Sequence, residues 1–510
     1  MMVARTHSVA LMGMTGSMVE VEADIGNGLP TLMIIGLPDT ALADSRDRVR
    51  SAAANSGCPL PTAKITVNLS PAALPKHGST FDLGIAMSIL AAAGSISASS
   101  IEGVVHLGEL SLDGRLRPMN GVLPAIAAAA RAGFTKFVVP AGNRREAELV
   151  PGVVIVPVIS MRDAAIFHGG AFEHIDRDAI ESSGAADDLE PVHELADVIG
   201  NPDAVLAMVA AAAGGHHVFL LGPPGAGKTM LASRLPGLLP DLGTEAALEV
   251  TAVRSLSRAS VPQALVTRPP FESPHHTATA AALIGGGSRQ IRPGAAARAS
   301  NGVLFLDEAP EFATNVLDCL RQPLESGVIS IHRANAVARF PGRFQLVLAA
   351  NPCPCGQYGA IDSTCTCTPN TRRRYLARLS GPLLDRIDIQ VQVRRVTAAE
   401  LRLSADKQRL TTELARGQVN QARVAAADRL TSTPWRLNSE VSGAWLRAGP
   451  RKLSPAALTS LDRALERGGI TMRGYDRILR VAWTLADLDG FDHPGSDHIG
   501  RALYLRRSVS

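Results

Sequence analysis

Eight consecutive residues have the types and spacing to hold a triphosphate: Gly222, Pro223, Pro224, Gly225, Ala226, Gly227, Lys228 and Thr229. They match G-x-x-x-x-G-K-[ST]. Glycines let backbone N–H groups approach phosphate oxygens, Lys228 neutralises the β and γ oxygens, and Thr229 ligates Mg²⁺. The apolar run Val303–Leu306 ends in Asp307 and Glu308. Asp307 is placed to hold Mg²⁺ through water, and Glu308 to orient and deprotonate the attacking water. A third apolar run, Phe344–Ala350, ends in Asn351, which is suited to hydrogen-bond the same water. Two arginines complete the set: Arg386, within Leu383-Leu384-Asp385-Arg386, and Arg473, next to Met472 at the start of a helix. Such an arginine stabilises the charge of phosphoryl transfer and is often supplied by a neighbouring subunit. The expected cofactors are ATP and Mg²⁺.

A second constellation is Cys353, Cys355, Cys365 and Cys367. Four thiolates can close a tetrahedral Zn²⁺ site, and the glycine-containing loop between the pairs is long enough to fold back. The C-x-C spacing is tighter than the usual C-x₂-C, so reduced thiols or a redox pair are the alternative. Structural zinc is the favoured reading. Cys58 and Cys319 read as core residues.

The elements that must position these groups follow from periodicity. His217–Leu221 reads as a buried strand and Met230–Leu235 as the start of a helix. Strands and helices alternate up to Val393, and from Thr397 the pattern is mostly helical. Upstream, strand-like pieces (19–23, 32–35, 64–69, 103–107, 136–139) mix with helical ones (41–56, 81–93, 122–132). The fold class is α/β. It divides into an N-terminal domain (1–170), an acidic linker (171–195), a nucleotide-binding core with the cysteine cluster (196–393, cluster 353–367) and a helical lid (394–510).

The 510 residues exceed one core, and 46% hydrophobic with 19% charged residues describe a globular chain rather than a disordered one. Aromatic residues at 4% speak against an aromatic-stacking RNA module. Net charge is only +4, but its distribution is uneven. Residues 171–203 hold ten acids and one base, whereas 370–430 hold thirteen Lys/Arg against six Asp/Glu. A basic segment beside a catalytic core suits phosphate partners. Six cysteines make no disulfide scaffold. The apolar stretch Val9–Val19 is a poor leader, because it contains glycines and runs into an alternating segment. The run Val205–Leu221, broken by Gly214-Gly215-His216-His217, reads as helix, turn and strand rather than a membrane span. A cytoplasmic protein is expected.

The order of P-loop, Leu304-Phe305-Leu306-Asp307-Glu308, strand-end Asn351, Arg386 and Arg473 resembles that of AAA+ ATPases of the helix-2-insert type. The fuller text resembles the magnesium-chelatase-like ComM/YifB family along essentially the whole chain. The carrying segments include Pro274-His275-His276-Thr277, Gly285-Gly286-Gly287, Arg321-Gln322-Pro323-Leu324-Glu325 and Asn351-Pro352-Cys353-Pro354-Cys355-Gly356. The resemblance implies a ring, expected to be a hexamer. It also implies a motor that drives branch migration in recombination of incoming DNA, with branched or single-stranded DNA and recombination proteins as partners. Departures are Glu272-Ser273, where the family tends to have Arg and a small residue, and Asn201-Pro202, where it tends to have Gln-Glu.

Residues 327–344 read as a β-hairpin, and hairpins here in related rings face the central pore. Arg333, Arg339 and Arg343 are the candidates to grip DNA phosphates. Residues 275–294, with Arg289 and Arg292, are a second pore-loop candidate. His275 and His276 lack matched metal ligands and read as locally hydrogen-bonded. The N-terminal domain resembles the proteolytic domain of Lon, a ribosomal-S5-like fold. The catalytic Ser and Lys of Lon fall on Thr80 and Leu123, so no peptidase is expected. The leading expectation is therefore an ATP-driven DNA translocase or branch-migration motor. The alternative is a chelatase-type motor that remodels a protein partner.

Overall fold

The computed structural model describes residues 3–36, 39–72, 74, 76, 78–181, 193–257, 262–287, 291–333, 336–359, 364–403 and 409–506. Side chains of residues 39–43, 336 and 403 are outside that description. Arg289 and residues 182–192 of the acidic linker lie outside the described residues.

The first part of the chain builds β1 (Ala4–Met12), β2 (Thr15–Gly26), β3 (Thr31–Ile35), β4 (Lys64–Ser70) and β5 (Val104–His106). A small ribbon follows, β6 (Glu109–Leu110) with β7 (Leu116–Arg117), and then β8 (Lys136–Pro140) and β9 (Val154–Val158). Seven of these form one mixed sheet in the order β3-β4-β2-β1-β5-β8-β9. The apolar stretch at Val9–Val19 is the β1–β2 hairpin, in antiparallel register from Ala4 opposite Ala23 to Met12 opposite Thr15. Beneath it lies the helix Asp82–Ala92, whose Leu83, Ile85, Met87, Ile89 and Leu90 are all buried. Cys58 joins this core, as expected, but Cys319 is exposed. Cys319 follows the short helix Thr314–Asp318, whose buried face is Val316 and Leu317, and so it turns outward.

The nucleotide-binding core contains β10 (Val218–Leu221), β11 (Phe271–Glu272), the ribbon β12 (Gly285–Gly286) and β13 (Arg292–Pro293), and β14 (Val303–Leu306). It continues with the hairpin β15 (Val328–Arg333) and β16 (Ala336–Pro341), then β17 (Gln345–Ala350) and β18 (Ile389–Gln392). Five strands form a parallel sheet in the order β11-β14-β17-β10-β18. Every residue of β10 and β14 is buried. This fits a parallel sheet covered on both faces, where strands read as continuous apolar runs. Because the strands are parallel, their C-terminal ends lie on one edge, where such sheets bind ligands.

C-terminal helices, among them Thr412–Arg429 and Met472–Asp489, pack against the helix Pro202–Gly214 behind this sheet, with Trp483 and Ile478 buried in the shared core. Asn201, one of the two family departures, closes that side: its Nδ2 donates to Arg394 O and its Oδ1 accepts from Arg394 N, both at 2.8 Å. No helix among the described residues is long and apolar enough to cross a membrane.

The N-terminal domain touches the core at the β1–β2 turn, around the helix Thr244–Leu256 and where Arg145 Nη1 donates to Gln263 Oε1 at 3.4 Å. The β1–β2 turn reaches the hairpin, where Met14 N donates to Arg339 O at 3.1 Å and Gly13 bridges to Arg339. Gly13 has φ +61, and a Cβ there would stand 2.8 Å from Arg339 O, so only glycine allows this approach. The second contact is the C-terminus of the helix Thr244–Leu256. Gly121 N donates to Ser255 O at 3.0 Å, and Ser255 Oγ donates to the buried carboxylate of Glu146. Leu123 N and Asn143 Nδ2 also donate to Glu146. Burial pushes the Glu146 pKa up, against these three donors.

Candidate nucleotide site, cysteine knuckle and hairpin

The phosphate loop leaves β10 at its C-terminal end. A Cβ on Gly222 would stand 2.2 Å from Val393 O, so glycine is required where the loop passes the end of β18. Gly225 and Gly227 have φ +74 and +90, a left-handed region that disfavours side chains. Lys228 then opens the helix Lys228–Leu238. Its Nζ donates to Gly222 O (2.7 Å), Pro223 O (3.1 Å) and Asn351 Oδ1 (3.0 Å). Burial lowers the Lys228 pKa, and Asp307 and Glu308 oppose that shift. Thr229 Oγ1 donates to Asp307 Oδ2 at 2.7 Å. A hydroxyl and a carboxylate side by side are the hard oxygen donors that Mg²⁺ takes, so this pair fits the ion. Lys228, Thr229, Asp307 and Asn351 are thus brought together by the ends of β10, β14 and β17. A cavity of about 1170 Å³ adjoins the loop, lined by Gly222, Pro223, Tyr358, Arg372, Arg394 and Arg395.

Glu308 sits beside this group with φ +50, unusual for a residue with a side chain. Its Oε2 stands 3.2 Å from His276 Nδ1. His275 is locally hydrogen-bonded to Thr277, as expected, but His276 reaches across to Glu308. Sequence reasoning missed this contact, which joins residues 32 positions apart. Glu272, the other departure, forms a two-pronged pair with Arg298 at 3.0 and 2.9 Å.

Arg386 and Arg473 lie elsewhere. The strand β18 runs parallel to β10 with Ile389 opposite Val218. Arg386 precedes Ile389, so it belongs to the N-terminal edge of the sheet. The P-loop leaves the opposite edge, four strand residues or roughly 13 Å away. There Arg386 pairs with Glu325 and donates to Pro382 O, while Arg473 pairs with Asp385 at 3.0 Å. Burial, with Arg321, Arg477 and Arg473 nearby, lowers the Arg386 pKa.

The segment is anchored by the buried Asp388, which sequence reasoning also missed. Asp388 accepts from Arg477 at 2.5 Å and lies 3.1 Å from His216 Nδ1. Burial opposes its ionisation, but Arg477, His216 and Arg480 outweigh burial and hold its pKa well below the usual range.

The four cysteines converge. Cys353 Sγ lies 3.3 Å from Cys355 Sγ and 3.7 Å from Cys365 Sγ, with Cys355 and Cys365 at 3.6 Å. The ligand atoms of all four, Cys367 included, fall within 4.8 Å of one another. Thiolates at about 2.3 Å from a tetrahedral Zn²⁺ stand about 3.8 Å apart, so the donor set fits zinc in type and spacing. The knuckle rests on the P-loop: a Cβ on Gly356 would stand 2.6 Å from Pro224 Cγ.

The hairpin forms as expected, in register from Val328 opposite Pro341 to Arg333 opposite Ala336. Its arginines do not make one row. Arg339 shares the solvent face with Ser330, His332 and Val337, whereas Arg333 extends the face of Ile329, Ile331 and Phe340. Arg333 Nη2 donates to Gly287 O at 2.5 Å, tying the hairpin to the loop after β12. Arg343 lies at the base, beyond β16. All three side chains are exposed.

Family models match across the chain: "Magnesium chelatase, subunit ChlI" over 194–401, "Subunit ChlI of Mg-chelatase" over 21–143 and "Magnesium chelatase, subunit ChlI C-terminal" over 409–506. The chain is 48% identical over 511 residues to the uncharacterized protein Rv2897c of Mycobacterium tuberculosis, covering 100% of this chain and 99% of that protein. It is 40% identical to competence protein ComM of Haemophilus influenzae, covering 100% of this chain and 98% of ComM. It is 39% identical to YifB of Escherichia coli, covering 98% of this chain and 96% of YifB. Full-length identity of this order, with the P-loop geometry above, means that the chain belongs to the ComM/YifB group of the magnesium-chelatase ChlI-like family of AAA ATPases.

Proposed function

We propose that this protein is a ring-forming, Mg²⁺-dependent ATPase, assembled as a hexamer, that couples hydrolysis to DNA translocation and branch migration. The observation that carries the ring is the position of Arg386 and Arg473. Both sit on the sheet edge opposite their own P-loop, and a hydrolysis-promoting arginine there serves a neighbour's nucleotide. Lys228 and the P-loop amides hold the phosphates, and Thr229 and Asp307 would hold Mg²⁺, which when bound would supply charge neutralisation for phosphoryl transfer. Glu308 takes the proton of the attacking water, and Asn351 orients that water. The base and ribose of ATP occupy the cavity beside Gly222. Cys353, Cys355, Cys365 and Cys367 would hold Zn²⁺, which would stiffen the loop that rests on Pro224.

DNA as the substrate is supported by the exposed arginines of the hairpin, and by a relative of 40% identity that is called a competence protein. Arg339 on the solvent face is the foremost phosphate contact. Arg333 and Arg343 flank it. Recombination proteins are the expected partners in the cytoplasm. The N-terminal domain (1–170) is a Lon-like, ribosomal-S5-like fold without peptidase chemistry: Leu123, buried and apolar, offers no amine to activate Thr80. Its contact with Arg339 suits a brace for the hairpin.

The second reading, a chelatase-type motor acting on a protein partner, is favoured by the three magnesium-chelatase family matches. ATPase rates with and without four-way and forked DNA, at two salt concentrations, separate the two. Stimulation by branched DNA that falls with salt supports the DNA motor. Turnover indifferent to any DNA supports the protein remodeller.

A further inference from the structure

We propose that Arg477 is a positioning residue that joins Arg386 and Arg473 into one rigid unit, so that both reach a neighbour's nucleotide in fixed relation; this rests on the reading above that both arginines serve a neighbour.

Arg473 and Arg477 stand four positions apart on the helix Met472–Asp489, so they share one face, about 6 Å apart along the axis. Both meet the segment that carries Arg386. Arg473 pairs with Asp385 at 3.0 Å, but its side chain is 72% exposed, and an ion pair in water holds little in place. Arg477 differs, with its side chain only 18% exposed. Its Nε donates to Asp385 O and its Nη1 to Asp388 Oδ1, each at 2.5 Å. One planar guanidinium thus fixes the chain on both sides of Arg386, at the backbone before it and at the buried carboxylate after it.

Other groups of the C-terminal helices hold the same segment. Thr484, seven positions after Arg477 on the same helix, meets His216 Nε2 at 2.8 Å, and His216 Nδ1 meets Asp388 Oδ2 at 3.1 Å. Just beyond the helix Ser496–Tyr504, Arg506 donates to Ile387 O and Asp388 O, and Leu505 O accepts from Gln390 N at 2.7 Å. Burial of the segment is already served by Leu383 and Ile387, which lie wholly in the core. The polar set adds direction, because hydrogen bonds fix angles as well as distances. Direction matters for an arginine on a transferring phosphoryl group, where a misplacement of about 1 Å costs about a hundredfold in rate.

The test uses the full chain. Arg477→Lys keeps a cation for Asp388 but cannot place two donors in one plane, so it gives up Asp385 O. The expected result is a kcat lowered about tenfold to a hundredfold, with KM for ATP within about twofold. Thermal unfolding and fluorescent-nucleotide binding report whether the chain is intact. Arg506→Gln, too short to hold Ile387 O and Asp388 O, loosens the same segment from another helix and gives the same pattern. Rescue in mixed rings is a readout that a merely structural role would not move. Lys228→Ala chains turn over no ATP but carry Arg386, Arg473 and Arg477 intact. Each Arg477→Lys P-loop that faces such a chain regains the natural rate. Arg386→Ala mixed with Lys228→Ala is the control for action on a neighbour. If the control is rescued but Arg477→Lys has an unchanged kcat, or a lowered one that mixing does not restore, the inference is overturned and the neighbour reading stands. If the control is not rescued, the neighbour reading fails and the inference fails with it.

Discussion

Gly356→Ala isolates the contact between the cysteine knuckle and the phosphate loop. Gly356 has φ +75, and a side chain there would meet Pro224 at 2.6 Å to Cγ and 2.7 Å to Cδ. The left-handed conformation costs an L-residue about 1–2 kcal/mol. Forcing a methyl group into a filled contact costs about 1–3 kcal/mol more. The atoms met belong to a proline ring, which cannot swing aside as a flexible side chain would. Pro224 lies in the middle of the loop proposed to hold the phosphates, and its carbonyl also accepts from Arg395 Nε at 3.0 Å. Relief therefore comes by moving the loop. If about 2 kcal/mol of the cost falls on the loop, ATP binding weakens about thirtyfold. The assay is titration with a fluorescent ATP analogue, alongside thermal unfolding. The expected result is a large rise in Kd with a small loss of Tm. An unchanged Kd in a variant with all four thiols still protected from a thiol reagent would refute the contact's importance.

Three further outcomes follow. Arg386→Ala alone abolishes turnover while ATP binding survives; mixing it with the inactive Lys228→Ala restores turnover where the intact P-loop of one chain meets the intact Arg386 of the other, as expected if each arginine serves a neighbour, whereas mixtures that stay inactive contradict this. Asp388→Asn leaves Arg477 without its charged partner and costs about 3–5 kcal/mol of stability, read as a fall in the denaturant midpoint. His168 and His217 are held to a pKa of about 4, mainly by burial, so both are neutral when folded and take up protons on unfolding between about pH 6.5 and 4. Stability is therefore full above about pH 6.5 and falls with acidification to about pH 4, by up to about 3 kcal/mol for each histidine; His168→Gln should flatten part of that slope.

What could be read from the chain was what local pattern encodes. The P-loop needs its glycines in consecutive order. The apolar runs before Asp307 and Asn351 are continuous because both faces of a parallel sheet are covered. The hairpin alternates, and the cysteines are close in sequence. What could not be read depends on pairs far apart in the chain. His276 with Glu308 and Asp388 with His216 and Arg477 are set by the crossing of strands and helices, and no spacing signals them. The hairpin arginines were legible as residues but not as faces, since the register of β15 against β16 decides which strand positions oppose each other. Cys319 looked apolar by type, but its helix buries Val316 and Leu317 instead.

The proposed function requires ATP hydrolysis to move DNA. The most direct measurement is ATP-dependent strand exchange on a mobile four-way junction, comparing the natural chain with Glu308→Gln. Product formation is expected to need Mg²⁺ and ATP, to decline with salt, and to vanish in Glu308→Gln although that variant still binds ATP and DNA. Brisk ATP turnover with no strand exchange on any branched substrate would contradict it.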